Sequence, residues 1–149
     1  MGDTYQGGIV FYIDATGTHG LLAAPEDASR SVVWFNGTFI DTGARSLTNG
    51  STNTDLILTA HGHTAQYAAR LCRDFRGGGF SDRYLPAKDE LNTLYTNKAL
   101  VGNFADNIYW SSSQYDVSDI WVQDFGTGQQ HHDNSSDGAN VAVRAVRVY

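Results

Sequence analysis

A single cysteine, Cys72, leaves the 149-residue chain without an internal disulfide, so packing alone must hold the fold even in an oxidising compartment. The expected place for Cys72 is a small buried apolar position on a helix. No apolar run approaches the ~20 residues that a membrane helix needs. The opening MGDTYQGG has neither the basic stretch nor the apolar run of a secretion signal. Basic residues are in deficit: ten Lys and Arg against sixteen Asp and Glu give a net charge of −6. That balance argues against a general nucleic-acid binder, which normally carries a basic excess, but leaves room for a local basic patch. Residues 106–137 contain six aspartates and no Lys or Arg.

Catalytic and metal-binding signatures are also missing. Asp89 and Glu90 are neighbours in sequence, so their carboxylates diverge instead of forming an acid/base pair. Ser111, Ser112 and Ser113 lack the context of a nucleophile elbow, and Cys72 has no partner thiol. Neither His61-Gly62-His63 nor His131-His132 presents two imidazoles on one helix face. Asp133-Asn134-Ser135-Ser136-Asp137-Gly138 looks like the first half of a calcium loop, but Arg144 stands where a bidentate glutamate is needed. A hairpin turn rich in Asn, Ser and Asp accounts for the same residues. The expectation is a chain that is not an enzyme and has no cofactor and no metal.

What is present is 41% apolar residues, 12% aromatics and 16 glycines, the composition of a folded domain made of many short elements joined by tight turns. A chain of this length is one domain, residues 1–149, able to bury roughly 70% of its unfolded surface. Residues 9–14 and 21–24 read as a hairpin around Ala15-Thr16-Gly17-Thr18, and residues 25–51 as mostly irregular. Alanine and leucine recur with helical spacing over residues 54–61 and 64–75, giving two helical pieces broken near Gly62. Gly77-Gly78-Gly79 is expected to end the second. A third helix is expected with Pro86 in its first turn, Asp89 and Glu90 near its positive end, and Leu91, Leu94 and Tyr95 as its buried stripe. Strand patterns follow at 108–112, 120–125 and 141–148, with turns at 126–128 and 134–138. Strands at both ends, two to three helices between them and a strand-rich C-terminal third make an α+β domain closed by its terminal strands.

Three stretches carry a resemblance. The run CRDFRGGGFSDRYLPAKDELNTLY from Cys72 to Tyr95, Tyr109-Trp110-Ser111-Ser112-Ser113, and the terminal VAVRAVRVY together resemble the C-terminal domain of the Legionella collagen-like adhesin and the wider group of bacterial surface domains built on that pattern. Gly7 to Tyr12 and His19 to Ala24 match the opening strands of that family, so the resemblance covers nearly the whole chain. It implies a C-type-lectin-like topology. It also implies the globular tip of a longer exported protein on the bacterial cell surface, a homotrimer because such domains follow triple-helical stalks, and adhesion to sulfated glycosaminoglycans.

Charge distribution points to a candidate site without the resemblance. Between Arg70 and Lys88 lie five of the ten basic residues, Arg70, Arg73, Arg76, Arg83 and Lys88, against Asp74 and Asp82, a local balance of 5 − 2 = +3. Arginine forks recognise sulfate and carboxylate groups bidentately, so this basic pole is the expected place for a sulfated polysaccharide. A solvated helix face with local ion pairs accounts for the same residues. Trp110 and Trp121 fall inside strand patterns and are expected in the core. Trp34, in a loop-like stretch, is open between the core and sugar stacking. The rival reading is a module that recognises a protein receptor through the polar, aromatic surface of residues 111–140.

Overall fold

The computed structural model describes every residue from Met1 to Tyr149. Strand β1 (Thr4–Tyr5) pairs with β2 (Gly8–Ile13), and β2 pairs with β3 (Gly20–Ala23) across the turn that the sequence suggests. Beyond β3 the chain runs irregularly to α1 (Gly50–His61), then to α2 (Ala68–Asp74), α3 (Lys88–Thr96) and the single turn α4 (Lys98–Val101). The C-terminal third supplies β4 (Ile108–Gln114), β5 (Asp119–Asp124), β6 (Gln130–Asn134), β7 (Val141–Ala142) and β8 (Val146–Val148). The strands form two four-stranded sheets, ordered β1-β2-β3-β8 and β6-β5-β4-β7. The protein is therefore an α+β domain, and its last strand closes on its first hairpin, with Leu21 opposite Val148 and Leu22 opposite Arg147.

The alternation of side chains along a strand puts a core on each face of the second sheet. Trp110, Ile120 and Val122 point to one side and pack with Ile57 and Leu58 of α1 and Ala68, Ala69 and Cys72 of α2. Tyr109 points to the other side and joins Phe11 and Ala23 of the first sheet, Leu91 and Leu94 of α3 and Val101 of α4. The segment 141–146 crosses between the sheets and is buried throughout, so an expected single strand becomes two short ones that serve different sheets.

Several local expectations shift. Helix α1 begins at Gly50, four residues early, because Asn49 caps it by accepting the Thr52 N–H at 3.0 Å. Helix α2 ends at Asp74 with Phe75 as its cap residue, so the three glycines do not terminate it. They pack against the N-terminal turn: a Cβ on Gly78 would sit 2.6 Å from the Gly7 Cα, and both residues have positive φ. Pro86 precedes α3 instead of occupying its first turn, and Glu90 closes that helix start by accepting the Ala87 N–H at 3.0 Å. The same carboxylate accepts the Gly50 N–H at 2.7 Å and the Tyr84 hydroxyl at 2.7 Å, tying α1 to α3.

Arg144 lies at the centre of the molecule with no exposure. Its guanidinium pairs with the buried Asp27 at 2.8 Å and donates to the Ala24, Gly102 and Asn103 carbonyls. It also stacks 4.0 Å from the Phe104 ring. Asp27 in turn accepts the Tyr109 hydroxyl at 2.8 Å. A buried charge persists when it is paired and hydrogen-bonded, and here every nitrogen of the guanidinium has a partner.

Candidate functional site

The structure breaks up the basic pole. Arg70 pairs with Asp74 at 3.4 Å, and Arg73 with Asp55 at 2.7 Å while its Nε donates to the Arg83 carbonyl. Arg83 is 1% exposed. It donates to the Gly77 carbonyl at 2.9 Å and the Gly7 carbonyl at 2.6 Å, so it clips the glycine loop to the N-terminal turn. Its assignment as a ligand-binding residue is therefore corrected: a guanidinium spent on two backbone carbonyls cannot reach a sulfate. Only Arg76 among the four arginines is exposed and without a carboxylate partner, its Nη1 donating to the Arg73 carbonyl. Lys88 belongs to another surface, its ammonium 4.7 Å from the centre of the Trp121 ring.

Trp34 is likewise corrected. It is 1% exposed, with its indole N–H donating to the Ser111 carbonyl at 3.0 Å and its ring packed edge-on to His61. An enclosed ring offers no face to a sugar. His61 sits beside it, accepting the Asn36 N–H through Nδ1 at 3.3 Å, while its Nε2 finds no partner. Burial pushes the His61 pKa down.

Trp121 moves in the opposite direction, from expected core to surface. In the β4-β5-β6 sheet, Ile120 and Val122 take the inward positions, and Trp121, between them, faces out opposite His132 of β6. Tyr115, just past β4 and 45% exposed, lies parallel to the His132 ring with centroids 4.0 Å apart and 5° between planes. Trp121 meets both rings edge-on at 5.4 and 5.9 Å. His132 Nδ1 is 2.7 Å from Asp119 Oδ2. Arg45 Nη1 donates to the Tyr115 carbonyl at 2.7 Å, which fixes the backbone that carries the tyrosine.

The rim of this aromatic group is the β4–β5 connection. Val117 is exposed there, and Asp116 accepts the Ser118 and Asp119 N–H groups at 2.9 and 2.7 Å. Those backbone donors, Asp119 first, hold the Asp116 carboxyl below the usual carboxylate range. The surface is thus a preformed set of three rings with one ammonium on one side and persistent negative charge on the other. Helix α3 covers the neighbouring part of the same sheet face: Gln123 is buried against Asn92, and Gln130 donates to the Lys88 carbonyl at 2.9 Å. The rings lie where that cover stops.

The sequence named Trp121 but misplaced it, and it assigned no element to residues 129–133, because Gln130 to Asn134 of β6 is polar throughout. The Asp133 to Gly138 stretch forms the end of β6 and a turn, with Asn134 accepting the Ser136 N–H at 3.0 Å. No helix is long and apolar enough to cross a membrane. Comparison with protein-family models and with curated proteins gives no match for the chain.

Proposed function

We propose that this chain is a non-catalytic recognition domain carried on a bacterial surface protein, and that it binds a protein partner through the rings of Tyr115, Trp121 and His132 with Lys88 at their edge. The observation that carries this reading is the exposed, mutually packed aromatic group on a sheet face that is otherwise covered. Tyrosine and tryptophan dominate the energetics of protein interfaces because they bring large contact area with few rotors to freeze. Here the rings already brace one another, so little ordering remains to be done on binding. The export and homotrimeric state included in this reading rest on the resemblance to stalk-borne adhesin domains. Recognition of sulfated glycan is disfavoured by the pairing of Arg70 and Arg73 with carboxylates and by the burial of Arg83.

Fluorescently labelled domain applied to host cells tests the partner class. A protein ligand predicts binding that survives heparinase treatment of the cells, is lost after protease treatment, and changes little between about 0.15 and 0.5 M salt, where exposed ion pairs are screened. Binding removed by heparinase and by salt overturns the proposal in favour of a polyanion.

A further inference from the structure

A cleft of about 420 Å³ opens between the first sheet and the start of α3, away from the aromatic group. Its volume falls in the roughly 300–1,000 Å³ range of ligand clefts. The floor is a cross-strand row: Tyr12 of β2 stands opposite Leu21 of β3, which stands opposite Val148 of β8. Tyr12 and Val148 are 43% and 50% exposed. Gly20 continues the floor, and a Cβ there would meet the Tyr12 carbonyl oxygen at 2.2 Å and the Tyr149 ring at 2.7 Å. The walls are Thr48, Asp89, Glu90 and Thr93, with Asp14 and His19 at one end.

Charge decides what fits. Three carboxylates line the cleft and no lysine or arginine does. Glu90 is already taken up by the Ala87 and Gly50 N–H groups and the Tyr84 hydroxyl. Asp14 Oδ1 accepts the Thr16 hydroxyl at 2.7 Å, and Asp14 Oδ2 faces His19 Nδ1 at 3.6 Å. Asp89 makes no side-chain hydrogen bond and no ion pair to another residue, and it is exposed at the mouth. An apolar floor with an unpaired carboxylate at its rim matches a group that is aliphatic along its length and positive at its tip.

We propose that this cleft takes a lysine side chain from an extended peptide segment of a partner protein, the methylenes lying on Tyr12, Leu21 and Val148 and the ammonium meeting Asp89 and Asp14. Long cationic side chains bury their stems on apolar surface while the charged head stays at a polar rim. The ammonium is a compact, rotatable donor that pairs with carboxylates without the fixed fork that arginine requires.

The test is a titration of isotope-labelled protein with the peptide acetyl-Gly-Lys-Gly-Lys-Gly-amide, followed by backbone amide shifts, with the Glu counterpart as control. The expected result is movement of Tyr12, Leu21, Thr48, Thr93 and Val148 with the lysine peptide only. The apparent affinity should weaken at least about tenfold in Asp14→Asn/Asp89→Asn, equivalent to roughly 1.4 kcal/mol. Val148→Trp, which fills the cleft without removing a carboxylate, should abolish the shifts. No movement up to about 10 mM peptide, an affinity too weak to matter, overturns the proposal, as do shifts centred on Tyr115 and Trp121 or equal binding by the Asn variant. Because the two surfaces use different residues, failure here leaves the aromatic group's assignment standing.

Discussion

Arg144→Met removes a fully buried charge while keeping most of the side-chain volume, and the structure fixes what is left behind. Asp27 keeps the Tyr109 hydroxyl at 2.8 Å and the Arg30 guanidinium at 3.3 Å, but loses its buried partner. The Ala24 and Gly102 carbonyls lose their donors, and the Asn103 carbonyl keeps only the Arg30 guanidinium at 3.4 Å. Breaking a buried pair by deleting one partner costs about 3–5 kcal/mol, and the two remaining contacts of Asp27 place the expected loss near the lower end. Against a total stability of roughly 5–15 kcal/mol, the variant should fold but with a clearly lower urea midpoint. Fluorescence of Trp34, Trp110 and Trp121 reports the transition. Asp27→Asn keeps an acceptor for Tyr109 and removes the charge, so the double variant no longer holds a lone buried carboxylate. It should be less destabilised than the sum of the singles by about 1–3 kcal/mol, the coupling expected within one hydrogen-bonded network. A loss under about 1 kcal/mol for Arg144→Met, or additivity within about 0.5 kcal/mol, would refute the reasoning.

Three further outcomes are expected. Burial without exposure, together with the nearby negative charge of Asp27, raises the Cys72 thiol, so a thiol reagent should label it only after denaturation; stoichiometric labelling of the native protein would contradict this. His61 is held neutral by burial: above its unfolded pKa near 6.5 both states are neutral and stability is flat. As pH falls below that value the unfolded chain takes the proton first, and stability drops by up to about 1.4 kcal/mol per unit. His61→Phe should lose that slope between about pH 6.5 and 5.5; an unchanged slope assigns it to other groups. Light scattering at micromolar concentration should give a trimeric mass, and a monomer would remove the stalk-derived part of the functional reading.

Legibility in the sequence followed the physics of each element. The β2–β3 hairpin, the helical pieces around Gly62 and the Leu91/Leu94 stripe were readable because apolar periodicity and turn residues report directly on which face is buried. Strand β6 was not, because an edge strand of Gln, His, Asp and Asn has no apolar face to repeat. Trp121 was misplaced because strand pattern alone does not say how far a neighbouring helix extends; the side chain is outward on a face that α3 covers only in part. The cluster of arginines misled for a related reason. Arg83 owes its position to the Gly77 carbonyl and to the Gly7 carbonyl 76 residues away, and one-dimensional charge counting cannot distinguish such a structural guanidinium from an exposed one. The stretches that carried the resemblance thus prove to hold several residues that lock the fold, among them Gly78, Arg83, Arg144 and Arg147, which pairs with Asp82 at 2.7 and 2.9 Å.

The most direct test of the central claim compares two double variants in one cell-binding assay: Tyr115→Ala/Trp121→Ala, which removes the aromatic group, and Arg73→Ala/Arg76→Ala, which removes the more accessible arginines of the 70–88 segment. One aromatic anchor of an interface is worth about 2 kcal/mol or more, about thirtyfold, and losses at neighbouring anchors do not simply add, so the first variant should bind at least about thirtyfold more weakly while keeping the parent's circular dichroism. The arginine variant should bind as the parent does. Loss of binding in the arginine variant with full binding by the aromatic one would contradict the account and return recognition to the basic segment.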